Sequence, residues 1–157
     1  MMRSLRTMHF TRQHGSAAVE LAIVLPILFV LMTVPIFFGR YFWHYTVAHK
    51  AAQDAARYLS TISVREMRSA SLAATAGQIA SGIAAEEIAD LSPGEDVPVI
   101  EVRCGQFYCT GQNAAALPET VSVNVKMNMF DNIFGVVSTG FYGWPIIATA
   151  EVRYVGR

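Results

Sequence analysis

The first acidic residue of this 157-residue chain is Glu20, and Leu21 to Phe38 carries no charge of either sign. Charged residues make up only 15% of the sequence against a hydrophobic fraction of 53%, the balance of a membrane-associated chain rather than of an ordinary soluble domain. Net charge is zero, which removes the general electrostatic attraction for nucleic acid, and no nucleic-acid partner is expected. Cysteine is scarce: Cys104 and Cys109 stand alone, and the four histidines, His9, His14, His44 and His49, all lie near the other end. A Cys-x4-Cys pair supplies only two ligands, so no metal site is expected. No glycine-rich phosphate loop, paired-carboxylate motif or nucleophile-plus-base arrangement is visible, and Glu86-Glu87 reads as a solvated helix face. An enzyme is not expected: no catalytic residue and no cofactor is assigned.

What the chain does have is the stretch from Gly15 to Phe38. Its uncharged part, Leu21 to Phe38, is 18 residues long. That spans roughly 27 Å as a helix, against about 30 Å of hydrocarbon in a bilayer. Thirteen of its residues are Leu, Ile, Val or Phe. At the usual insertion energies they contribute roughly 4 to 8 kcal/mol, more than the ~3 kcal/mol cost of one carboxylate near the end of a span. Pro26 and Pro35 would break a soluble helix but are tolerated in membrane helices. The alternative is a buried helix of a soluble protein, which the length and the prolines disfavour.

Residues 1–15 read as a polar, basic cytoplasmic leader with Arg3, Arg6 and Arg12. These arginines favour a cytoplasmic N-terminus, although Arg40 and Lys50 beyond the span weaken the bias. Tyr41, Phe42, Trp43 and Tyr45 follow at once and suit an interfacial aromatic belt. The expected topology is a single membrane pass with the bulk of the chain extracytoplasmic. There Cys104 and Cys109 can close a small disulfide loop; in a cytosolic domain they would stay reduced.

Residues 16–60 read as the membrane helix continuing into an extracytoplasmic helix, with Ala48, Ala51, Ala52, Ala55 and Leu59 on one face. Such a face packs either on its own domain or against neighbouring subunits. Residues 61–157 form the expected head. A second helix is predicted over Val64 to Ala89, with Leu72, Ile79, Ile83 and Ile88 inward, ended by Ser92-Pro93-Gly94. Gly77 and Gly82 are expected to weaken it. From Val97 the period changes to alternation. Val97, Val99 and Val102 begin a first strand; Val121 to Met129 and Ile146 to Tyr154 alternate as two more. The fold class is α+β, with a small antiparallel sheet of about three strands packed on helix. Asp131 to Pro145, rich in glycine and aromatics, reads as a loop, a membrane-contacting flap or a subunit contact.

Glu20 needs a partner inside an apolar segment, and no cation lies within one helical turn of it in the intact chain. Cleavage after Gly15 would create an amine on Ser16, four residues away, and the amine of one subunit could meet Glu20 of the next. Pairing of that kind fixes register. The plainer alternative is an anchor whose Glu20 is protonated or snorkels to the interface.

The basic leader, Gly15, Ser16, Val19-Glu20, Pro26, Gly39 and Ala55-Ala56-Arg57-Tyr58 together resemble the TadE-like minor pilins, or pseudopilins, of the tight-adherence (Flp) type IV pilus. The resemblance implies a class III signal cut between Gly15 and Ser16 by a prepilin peptidase. It implies Glu20 as the register residue and other pilins and pseudopilins of the same system as partners. It further implies an inner-membrane protein with a periplasmic head that, once mature, either enters the extracellular pilus or primes its assembly, for surface attachment and biofilm formation. The Glu-Tyr pair of Flp major pilins is absent, since Leu21 follows Glu20, and the chain is longer than those subunits. Both departures favour a minor subunit; a TadF- or TadG-like relative stays open. Outside that family, the alternative is a membrane-anchored binding module that enters no filament, with Phe141, Tyr142 and Trp144 as its contacts.

Overall fold

The computed structural model describes residues 14–91, 97–109, 117–135, 137 and 139–156. The leader arginines and the Ser92-Pro93-Gly94 turn lie outside them. Helix α1 runs unbroken over His14–Thr61, with Pro26 and Pro35 inside it. Short α2 (Val64–Arg68) and longer α3 (Ala70–Ile88) follow, then strands β1 (Val99–Cys104), β2 (Phe107–Tyr108), β3 (Thr120–Met129) and β4 (Trp144–Arg153). The strands form one antiparallel sheet in the order β2-β1-β3-β4. The architecture is α+β, as the change of periodicity predicts. The sheet has a fourth strand because Phe107–Tyr108 folds back on Arg103 and Cys104. Two residues carry no readable alternation, which is why the strand is silent in the sequence. The first strand begins at Val99, not Val97, whose side chain stays 83% exposed.

From Gly15 to Met32, α1 stands clear of the rest of the protein. Only 11% of its most apolar window is buried, so it is not the core helix of a soluble domain. It is long and apolar enough to cross a membrane. From Phe37 onward the same helix becomes the spine of the head. Ala48, Ala51, Ala52, Ala55, Ala56 and Leu59 are fully buried. They pack with α3 on one side and with β3 and β4 on the other. The alanine face is therefore spent within its own domain and is not left for neighbouring subunits. Small side chains let backbones approach closely, which turns a weakly hydrophobic residue into good packing.

The strand faces follow the alternation. Val121, Val123, Val125, Met127 and Met129 of β3 are buried, as are Ile146, Ala148 and Ala150 of β4. Ile147 lies on the outer face, 56% exposed. At the far end of α1, Ser60 O accepts from Val155 N and Gly156 N, and Tyr154 Oη donates to Ile62 O at 3.0 Å. Burial raises the Tyr154 hydroxyl above its ordinary pKa, with the Glu66 charge adding to the effect.

The predicted second helix is two helices. Ser69 is extended (φ −90°, ψ 119°) and separates α2 from α3. α2 is set by a capping box: Ser63 Oγ accepts from Glu66 N, and the Glu66 carboxylate accepts from Ser63 N at 3.0 Å. The Ser63 hydroxyl, then its backbone N–H, hold the Glu66 carboxyl below its usual range. Met67 inserts into the core and fixes the turn. The inward stripe of α3 also differs from expectation. Leu72 and Ile79 are 45% and 46% exposed, Ile83 is half-buried, and the buried face is Ala73, Ala76, Gly77, Ala80, Ala84 and Ile88. Close approach to α1 selects small residues, so the large aliphatics fall at its margin. Glu87 reaches across to Lys50 of α1 at 3.0 Å instead of standing free as a solvated face. Lys50 also pairs with Asp54 at 3.4 Å, and Glu87 first, then Asp54, raise the Lys50 pKa.

Candidate functional site

Gly15, Ser16 and Glu20 lie on the first two turns of α1, all exposed. A Cβ at Gly15 would meet nothing within 4 Å. Helical spacing sets Ser16 and Glu20 one turn apart, about 6 Å along the axis. Among the described residues Glu20 has no ion pair or hydrogen bond within its own chain. The residues after it, Leu21 to Leu31, present Leu, Ile, Val and Phe side chains that are 43% to 65% exposed. The surface is a bare apolar rod with one carboxylate near its tip. Such a rod can lie in lipid or pack side by side with other apolar helices.

Cys104 and Cys109 form a disulfide across a five-residue separation, with Cα atoms 5.1 Å apart. The bridge closes the β1–β2 hairpin. Gly105 (φ 71°) supplies the left-handed turn residue, and the Arg103 guanidinium lies 5.1 Å from the centre of the Tyr108 ring. Behind it, Gly77 of α3 lets the hairpin come close: a Cβ there would sit 3.0 Å from the Cβ and carbonyl oxygen of Cys109. Among the described residues no group of three His, Cys, Asp or Glu side chains is placed to hold a metal ion.

The aromatic segment after β3 is divided by the fold. Trp144 is the first residue of β4 and packs on α1, its ring centre 5.5 Å from those of both Phe37 and Phe38. Tyr41 Oη donates to Pro145 O at 3.0 Å beside it. Trp144 is therefore a packing residue and not one of three free contacts. Phe141 and Tyr142 remain, 91% and 80% exposed, on a turn flanked by Gly140 (φ 66°) and Gly143 (φ 73°).

Sequence reasoning missed His44, which is 1% exposed. Its Nδ1 donates to Arg40 O at 2.8 Å, and Nε2 has no hydrogen-bond partner among the described residues. A signal for it exists: Phe37, Tyr41, His44, Ala48, Ala52, Ala55 and Leu59 follow three- and four-residue spacing, which places the histidine on the buried face.

Comparison with known proteins returns one family. No curated protein and no solved structure matches the chain. The matched segment begins at Gly15 and ends at Arg57, so it covers the bare rod, Glu20 and most of the alanine face, and leaves the sheet outside. Over residues 15–57 the chain is similar to the family of TadE-like proteins.

Proposed function

We propose that this chain is a minor pilin or pseudopilin that takes part in assembling a tight-adherence pilus for surface attachment and biofilm formation. The observation that carries this reading is a coincidence of extent. The TadE-like match over residues 15–57 takes in the stretch of α1 from Gly15 to Met32 that no part of the head covers. A helix left bare along that length is suited first to lipid and then to other subunits. In this reading a prepilin peptidase cuts between Gly15 and Ser16. The new amine of one subunit meets Glu20 of its neighbour and sets the register. The single-pass protein sits in the inner membrane with its N-terminus cytoplasmic and its disulfide-closed head in the periplasm, where a disulfide persists. Its partners are other pilins and pseudopilins, and its work is structural rather than catalytic.

Intact-mass analysis from cells carrying the peptidase tests maturation. The wild-type protein should begin at Ser16, and Gly15→Leu should keep its full length. Sheared pilus preparations should contain the mature protein. If both proteins keep the leader, or if the sheared fraction lacks the protein, the assembly reading fails.

A further inference from the structure

We propose that the loop between β3 and β4 is a second membrane contact, which seats the head on the bilayer through Phe141 and Tyr142. The inference requires only that α1 crosses a membrane; it does not depend on pilus assembly.

The placement of this loop follows from burial on α1. Thr33 and Phe37 are 4% and 2% exposed, while their neighbours Met32, Val34 and Ile36 are 44% to 47% exposed. A lone helix exposes all its faces alike, so chain from outside α1 must cover that side. The sheet end nearest to it is where β3 stops at Met129 and β4 starts at Trp144, which touches Phe37. From Thr33 to Phe38 is roughly 8 Å along the helix axis. The head thus overlaps more than the last turn of a run only just long enough to span hydrocarbon. The loop joining β3 to β4 leaves from that level.

Its chemistry suits an interface. Asp131 is the only charged residue between Phe130 and Gly143. Its Oδ1 accepts from Ile133 N and Phe134 N at 3.3 and 3.2 Å, and Oδ2 accepts from Val137 N at 3.0 Å. Backbone donors at the loop's base are satisfied internally, which lowers the cost of leaving water. Ile133 and Phe134, 54% and 44% exposed, add apolar surface beside the two projecting rings. Tyrosine rings concentrate at the headgroup boundary, and phenylalanine supplies the apolar surface that buries beside them. The opposite end of the sheet supplies a control: Phe107 and Tyr108 are also exposed, at 58% and 52%, but lie at the other end of β3, about 30 Å away.

The test uses the full chain in phosphatidylcholine–phosphatidylglycerol vesicles that carry a photoactivatable diazirine near the glycerol end of the acyl chain. Peptide mapping should find lipid adducts on the segment 133–142 as well as on α1, and none on Phe107–Tyr108. The double replacement Phe141→Ser with Tyr142→Ser should keep the disulfide and the thermal transition, because both rings are exposed. It should lower the loop adduct on the order of tenfold, since two interfacial rings are worth at least the ~1.4 kcal/mol of one decade. Equal labelling of both ends, no adduct on the loop, or unchanged labelling in the double variant would overturn the proposal. So would native-membrane cross-linking that joins the loop to a second protein in place of lipid.

Discussion

Gly77 and Cys109 are in contact through an absence: a Cβ on the glycine would fall 3.0 Å from the Cβ and carbonyl oxygen of the cysteine. Alanine raises helix propensity by roughly 1 kcal/mol over glycine, yet overpacking a tight contact costs about 1 to 3 kcal/mol. Gly77→Ala should therefore destabilise the head or leave it no more stable. Gly82, on the same helix with nothing within 4 Å, should respond oppositely, Gly82→Ala gaining up to about 1 kcal/mol. Chemical denaturation of the detergent-solubilised chain reads both.

The Cys104–Cys109 bridge encloses a short loop, for which chain entropy assigns about 2 kcal/mol. Replacing both cysteines by serine should lower head stability by that amount, and reductant should do the same to the wild type but not to the variant. Differential alkylation with mass analysis checks the redox state in parallel.

Asp131 makes loop order depend on pH. Burial alone would raise its pKa, but backbone N–H groups, led by Val137 and then Phe134 and Ile133, outweigh that and hold it below the ordinary value. A lowered folded-state pKa means the stabilisation is complete above the unfolded value, near ~3.9, and is lost as pH falls through the lower folded value. Protection of the Ile133, Phe134 and Val137 amides from hydrogen exchange, taken relative to the intrinsic rate at each pH, should be high at neutral pH and fall below about pH 4. In Asp131→Asn that dependence should disappear.

Glu20 contributes nothing to the head, so Glu20→Ala should leave its thermal transition unchanged. Removing one partner of a desolvated ion pair typically costs 3 to 5 kcal/mol, so recovery in sheared pili should fall by at least about tenfold. Recovery at the wild-type level would show that the carboxylate does not set register.

The parts legible in the sequence were those where one physical signal dominated. Thirteen large aliphatic or aromatic residues between Leu21 and Phe38 make the span plain, and β3 alternates without a fault from Val121 to Met129. The inner face of α3 misled because periodic Leu and Ile normally mark a core. Here the core is set by how closely two helices approach, and alanine wins. Ser69 broke a run of good helix formers for want of a residue type that announces a break. Trp144 sits in a glycine-rich stretch that reads as loop, and only the pairing of Met129 with Trp144 shows where the strand begins. Glu20 stands out in the sequence because an isolated carboxylate in an apolar run is conspicuous, and the fold gives it no partner among the described residues.

Helix α1 is continuous from His14 to Thr61, about 72 Å of one rod whose lower part is bare and apolar enough to cross a membrane and whose upper half is the head's own core. There is no linker to stretch. A pull on the membrane half is borne at once by the alanine contacts with α3 and the sheet, and a tilt of the rod in the bilayer swings the head through the same angle. Mechanically the protein is a post with its head built around the shaft, and load reaches the sheet without passing through any flexible joint.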